Sequence, residues 1–184
     1  MRSITRTTQW DNGSGAFDGT IFKFDPSTNT ETHLYSFSPG TKWDQSPSVL
    51  TYDPSNGMLY GTSYYGGTNG YGAIYEFNPS NNTCTAIYSF TGTTPDGKNP
   101  SVLTYDSSNG MFYGTTDLGG TNGNGTIYEF NPSSNALTTL YSFSSADGEP
   151  ISDLVYVSST GMFYGSTNVG ISYSHGGSIF EFNP

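Results

Sequence analysis

One unit is written repeatedly along this chain. GTIFKFDPSTN begins at Gly19, GAIYEFNPSNN at Gly72, GTIYEFNPSSN at Gly125 and GSIFEFNP at Gly177, at spacings of 53, 53 and 52 residues. Other segments recur in the same phase. LYSF, IYSF and LYSF start at Leu34, Ile87 and Leu140. PSVLTYD starts at Pro47 and again at Pro100, with a diverged PISDLVYV from Pro150. NGMLYGTS, NGMFYGTT and TGMFYGST start at Asn56, Asn109 and Thr160. A fixed period of this size marks a repeat architecture, in which each unit is one supersecondary element that cannot bury its apolar surface alone.

Each unit holds four short runs rich in Tyr, Phe, Ile, Val and Thr, separated by Gly, Pro, Asn and Asp, which predicts four strands with turns between them. In GTIYEF, Ile127 and Glu129 point to one face, Tyr128 and Phe130 to the other. A four-stranded unit of about fifty residues is the size of a β-propeller blade. The expected fold is therefore all-β, a β-propeller of ~53-residue four-stranded blades with about 3.5 repeats in the chain. A linear β-solenoid is the alternative, with shorter repeats and fewer turns per unit.

By similarity to other propellers, PSVLTYD is the inner strand A, NGMFYGTT is B, GTIYEFN is C and TTLYSF is the outer strand D. The chain then opens in B (Ser3 to Gln9) and closes in C (Gly177 to Pro184). This gives one domain over 1–184, with a partial blade at 1–45, full blades at 46–98 and 99–149, and a partial blade at 150–184. Open sheet edges invite pairing with other chains. Closure is expected either within a four-bladed monomer that has two three-stranded blades, or between chains, unless the segment is part of a longer array. Association is favoured, with a homodimer as the simplest homo-oligomer.

The run from Asp96 through Phe130, with its NGMFYGTT and GGTNGNGTIYEF elements, resembles the GloVer tandem repeats of large bacterial surface proteins. The resemblance covers essentially the whole chain. It implies a propeller-type repeat and a surface or secreted setting. It carries over no catalytic residue.

Composition narrows the function classes. Net charge is −10, with 5 basic residues against 15 acidic. Nucleic acid and anionic membrane both need clustered Lys and Arg, so neither is an expected partner. No apolar run is long enough to span a bilayer. MRSITRTTQW has no apolar h-region, so no secretion signal is expected there. Low Lys with abundant Ser, Thr and Asn nevertheless resembles an extracellular or cell-surface protein. Cys84 is the single cysteine and is expected as a buried or half-buried thiol.

The connections fall into two classes. A–B turns (DPSNG, DSSNG, SSTG) and C–D turns (DPSTNT, NPSNNT, NPSSNA) are short and alike, as Asn, Pro and Gly turn chemistry requires. B–C loops (QWDNGSGAFDG, YYGGTNGYG, DLGGTNGNG, NVGISYSHGG) and D–A loops (SPGTKWDQS, TGTTPDGKN, SSADGE) are longer and vary. In an antiparallel blade these two long classes emerge at the same end, and variable loops on a rigid scaffold are where binding usually sits.

Unusual residues collect there: Trp10, Phe17, Tyr64, Tyr65, Tyr71, Tyr173 and His175 in B–C loops, and Trp43 in a D–A loop. Aromatic rings beside Asp and Asn suit a glycan, the ring stacking on sugar C–H groups while carboxamides and carboxylates take hydroxyls. The alternative is that these rings pack between neighbouring loops. Asp44, Asp96 and Asp147 recur just before strand A and would take a cation or polar ligand; locally they also read as turn formers. Asp11, Asn12 and Asp18 lie among glycines, but their spacing departs from a calcium loop, so calcium is only a weak candidate. His33 and His175 give no zinc pattern, and no cofactor is expected.

Enzyme motifs are missing from the sequence: there is no GxSxG, no HExxH and no Cys–His pairing. GGTNG joins two strands and leads into no helix, so it is no phosphate cradle. Glu76, Glu129 and Glu181 recur within strand C, with Lys23 in the first copy, a pattern that predicts a structural role. The leading expectation is a non-catalytic, lectin-like binding module using the long-loop face. A protein-interaction or structural module that forms homo-oligomers is second, and a polysaccharide-active enzyme with carboxylates drawn from different loops is third.

Overall fold

The computed structural model describes residues 4–11, 17–37, 45–150, 152–168 and 176–184, with backbone alone at 4–11, 17, 18 and 45. Among the described residues there is no helix, and so none long and apolar enough to cross a membrane. The chain divides into two compact units, Met1–Ser89 and Phe90–Pro184, each holding two antiparallel sheets.

In the first unit, β1 (Ile4–Asp11), β2 (Phe17–Asp25) and β3 (Thr30–Ser36) form one sheet. The second sheet runs from β4 (Gln45–Pro47) and β5 (Thr51–Tyr52), both paired to β6 (Leu59–Tyr65), through β7 (Ala73–Asn78) to β8 (Thr83–Ser89). The second unit repeats this. β9 (Lys98–Pro100) and β10 (Thr104–Asp106) pair β11 (Met111–Leu118), followed by β12 (Thr126–Asn131) and β13 (Ala136–Ser142). The last sheet is β14 (Val155–Val157), β15 (Met162–Ser166) and β16 (Ile179–Phe182). The strands thus follow the order read from the repeat, A-B-C-D.

One expectation changes. PSVLTYD reads as a single strand A, but the structure splits it in two around Ser48 and Ser101. The Ser48 N–H donates to the Thr62 carbonyl at 2.7 Å, yet the Thr62 N–H returns its bond to Ser48 Oγ at 2.9 Å, not to the backbone. Ser101 and Thr115 repeat this at 2.8 and 3.2 Å, and the Ser166 N–H donates to Ser152 Oγ at 2.7 Å. A hydroxyl standing in for a peptide carbonyl satisfies the ladder donor while the chain bends. Leu50, Leu103 and Leu154, two residues on, are then buried.

The alternation read from GTIYEF holds in the packing. Ile21 and Phe37 of the first sheet bury against Tyr75 and Phe77 of the second. Ile127, Tyr113 and Phe143 of the third bury against Leu154 and Phe163 of the fourth. Cys84 is half-buried and packs against the first of these clusters. The YGT element has a steric reason. A Cβ at Gly61 would lie 2.4 Å from the Tyr75 hydroxyl, at Gly114 2.5 Å from that of Tyr128, and at Gly165 2.5 Å from the Phe180 ring. Each aromatic of strand C lies across the glycine that pairs with it.

Two of the three recurring strand-C glutamates, Glu76 and Glu129, serve the scaffold, whereas Glu181 is exposed. Tyr60 donates to Glu76 at 2.8 Å and accepts from the Asn56 side chain at 3.0 Å; Tyr113, Glu129 and Asn109 repeat this at 2.7 and 2.9 Å. Burial, then the bond to glutamate, pushes both phenols well above their ordinary pKa. Asn56 and Asn109 also accept the N–H of Met58 and Met111 at 2.9 Å, which closes the A–B turn.

Candidate functional site

Within each sheet the short turns lie at one end and the long loops at the other. The short ends are closed locally. Asp53 and Asp106 accept N–H bonds from Ser55 and Ser108, and Asn78 and Asn131 accept them from Ser80 and Ser133, all at 2.8 to 2.9 Å. Asn29, Asn82 and Asn135 take the left-handed conformation that ends each C–D turn.

The B–C loop after β6 is a compact glycine frame. The Gly72 N–H donates to Gly66 C=O at 3.0 Å, and the Thr68 N–H to Ser89 Oγ at the end of β8 at 3.3 Å. The loop after β11 has the same frame, with Gly125 bonded to Gly119 at 3.1 Å and Thr121 to Ser142 Oγ at 3.3 Å. The tips differ. Tyr64 and Tyr65 at the end of β6 and Tyr71 in the first loop stand where Asp117, Leu118 and Asn124 stand around the second. Tyr65 is 43 % exposed and Tyr71 41 %. Tyr64 is half-buried and meets Tyr65 edge-on at 4.7 Å. Tyr64 and Tyr65 thus end β6 and do not lie in the loop as the sequence suggested, while Tyr71 closes the loop and bridges Gly66.

The two described D–A aspartates serve their own loops. Asp96, 2 % exposed, accepts the Thr91 N–H at 2.9 Å and the Thr91 hydroxyl at 2.6 Å through its two oxygens. Asp147 Oδ2 accepts the Ser144 N–H at 2.8 Å, the Ser144 hydroxyl at 2.7 Å and the Tyr141 hydroxyl at 3.0 Å. Their positions therefore match the turn-former alternative. Trp10 and Asp11 end β1, where their backbones pair Asp18 and Phe17; their side chains lie outside the described residues. Trp43, Asp44, Tyr173 and His175 lie wholly outside them, as does Asn12 of the calcium candidate. Among the described residues no three His, Cys, Asp or Glu gather into a metal-holding group.

The Asp147 loop has a pH dependence of definite sign. Ser144, first through its N–H, holds the Asp147 carboxyl below its ordinary value, while burial and then the Asp147 bond push the Tyr141 phenol up. A depressed carboxyl stabilises the fold above its unfolded value, about 3.9, and loses that contribution as pH falls through the folded value. Asp147→Asn should thus be less stable than the natural chain at neutral pH, with the gap closing as pH falls below the ordinary carboxyl value of about 3.9. Thermal midpoints of the two chains across that range measure it.

One feature was not legible in the sequence. A cleft of about 290 Å³ opens in the second unit between β13 and β16, lined by Tyr141, Phe143, Asp147, Thr167, Ser178 and Phe180 among others. Tyr141 reads as an ordinary strand-D residue, and its 43 % exposure follows from the cleft beside it.

The fold is shared with solved structures. The chain is similar to TolB from Acinetobacter baumannii, with a TM-score of 0.60 and 17 % identity, over 98 % of this chain and 39 % of that one. It is also similar to an oligogalacturonate lyase in complex with manganese, with a TM-score of 0.59 and 13 % identity, over 90 % of this chain and 39 % of that one. Both are β-propellers, and the fold defined here is of that all-β class. The chain spans about two fifths of the length of these two structures. It belongs to the Gloeobacter/Verrucomicrobia repeat family, whose pattern matches residues 4–184. Among curated proteins none matches it. Neither family nor fold indicates a catalytic group, although one structural neighbour is a lyase.

Proposed function

We propose that residues 1–184 act as a single, non-catalytic carbohydrate-binding module in an extracellular or cell-surface setting, and that the long-loop ends of the sheets carry the binding. One observation supports this most. Two loops share the same glycine frame and the same closing hydrogen bonds, yet only at one of them do three tyrosines gather, two ending β6 and one in the loop, with Tyr65 and Tyr71 well exposed. A residue needed for the scaffold repeats in every unit, as Tyr60 and Tyr113 do. Tyr65 and Tyr71 do not repeat, so the scaffold does not account for them. Exposed phenols present an apolar face to sugar C–H groups and a hydroxyl to their polar edge.

Tyr65→Ala and Tyr71→Ala should each weaken binding to the best ligand on a broad glycan array about five- to tenfold, at the ~1 kcal/mol expected of one aromatic contact. Thermal stability should stay unchanged. An array that remains blank for the natural chain would end this reading.

The second reading is a protein-interaction module that associates with itself, a dimer being simplest. It is favoured by the exposed apolar side chains Val49, Tyr52 and Val155.

A further inference from the structure

We propose that Asn122-Gly123 is a site of spontaneous covalent modification, at which the asparagine turns into aspartate and isoaspartate and puts a negative charge on the loop after β11. Asn-Gly occurs six times in the chain, at Asn12, Asn56, Asn69, Asn109, Asn122 and Asn124. The pair has an intrinsic weakness. The glycine nitrogen, once it has lost its proton to water, attacks the asparagine Cγ, and no glycine Cβ stands in the way. The new C–N bond closes a five-membered succinimide, and the carboxamide nitrogen leaves as ammonia. Water then opens the ring at either carbonyl. One opening gives aspartate, and the other gives isoaspartate, with the chain rerouted through Cβ and Cγ. In a folded chain two things oppose this: a hydrogen bond that already holds the glycine N–H, and bonds that hold the carboxamide away from its own backbone.

The glycine side separates the pairs. Asn12-Gly13 lies outside the described residues. The Gly57 N–H donates to Asp53 C=O and the Gly110 N–H to Asp106 C=O, both at 2.9 Å. The Gly125 N–H donates to Gly119 C=O at 3.1 Å and the Gly70 N–H to Gly67 C=O at 3.3 Å. Among the described residues no acceptor takes the Gly123 N–H.

The carboxamides divide the same way. Asn56 and Asn109 are exposed yet tied at both ends, through Nδ2 to the Tyr60 and Tyr113 hydroxyls and through Oδ1 to the Met58 and Met111 N–H groups. Asn124 is only 8 % exposed. Asn122 is exposed and donates once, from Nδ2 to Ser142 C=O at 3.2 Å. Exposure is therefore common to Asn56, Asn109 and Asn122, and bonding is what distinguishes them. Nothing lies within 4 Å of where a Gly123 Cβ would stand, so the ring has room to close. Either product removes the donor to Ser142 C=O. Isoaspartate also lengthens the main chain inside the ring closed by the Gly119 N–H on Gly123 C=O at 3.1 Å, so this part of the glycine frame must open.

The test holds the full 184-residue chain folded at mildly alkaline pH and follows each Asn-Gly pair by peptide mapping, with fragmentation that tells isoaspartate from aspartate. The same chain unfolded in guanidinium chloride is the reference, in which Asn56, Asn109 and Asn122 should convert at similar rates. In the folded chain Asn122 should convert first. Asn109 should be about thirtyfold slower, the effect of two further hydrogen bonds to break. Asn69 should trail Asn122 severalfold. Asn122→Gln, which would have to close a less favourable six-membered ring, should remove the first acidic species seen on ion exchange, and Asn122→Asp should elute with that species from the outset. Mapping the natural chain decides the matter even if neither variant folds. Conversion of Asn109 or Asn69 as fast as Asn122 in the folded chain overturns the proposal. So does an intact Asn122 once the unfolded chain has converted.

Discussion

Gly125→Ala is expected to cost the Phe90–Pro184 unit more than about 4 kcal/mol, enough to leave it largely unfolded. A Cβ at this position would lie 2.1 Å from the Thr116 carbonyl oxygen and 3.0 Å from that of Asp117, atoms that cannot move without opening β11. The residue also sits at φ +92°, where an alanine is strained by about 1–2 kcal/mol. Gly123→Ala separates the two causes. Its φ is +85° and nothing lies within 4 Å of its Cβ, so only the strain of about 1 kcal/mol should appear. Urea unfolding followed by circular dichroism measures both. If the two variants melt alike, the close approach of strand B is not what fixes glycine here. Gly177, whose Cβ would lie 2.2 Å from the Thr167 carbonyl oxygen, shows that the same approach recurs in the last sheet.

Phe163→Ala should cost about 3–5 kcal/mol and lower the thermal midpoint by more than about 12 °C. The ring is 0 % exposed and lies between Tyr113 at 4.5 Å and Tyr156 at 4.7 Å, so its removal leaves a hole bounded by side chains held from both sheets. Val155→Ala on β14, at 62 % exposure, is the control and should change stability by less than about 0.5 kcal/mol. Equal effects at the two positions would mean that the second unit does not depend on the cluster around Phe163.

The strand order and the opposite faces of each strand could be read directly, because a side chain alternates with a period of two and four copies average out local accidents. The recurring Glu76 and Glu129 were likewise readable as scaffold, since repetition itself excludes a unique role. The split of strand A was not. Ser48 and Ser101 look like any strand serine, and only the geometry shows that their hydroxyls replace a peptide carbonyl. For the site, the glycine frame of the B–C loops was legible and the clustering of Tyr64, Tyr65 and Tyr71 followed from it. The fate of Asp96 was not, because a buried carboxylate that staples Thr91 and one that waits for a cation have the same sequence. The cleft was also hidden, since periodicity describes strands but not what lies beside them.

The fourth strands have one further consequence. β3, β8 and β13 meet their partners in the same register, with the same bulge and the same closing aromatic, so side-chain chemistry barely distinguishes one seat from another. What assigns each strand to its own seat is the tether. Four residues separate β2 from β3, whereas reaching the equivalent edge one repeat away adds about 53 residues to the loop that must close. Loop-closure entropy then disfavours the wrong seat by about 2 kcal/mol, before any side chain is compared. The tight Asn and Pro turns act as proofreading devices, and the order of this nearly self-similar chain is kept by the shortness of its connections.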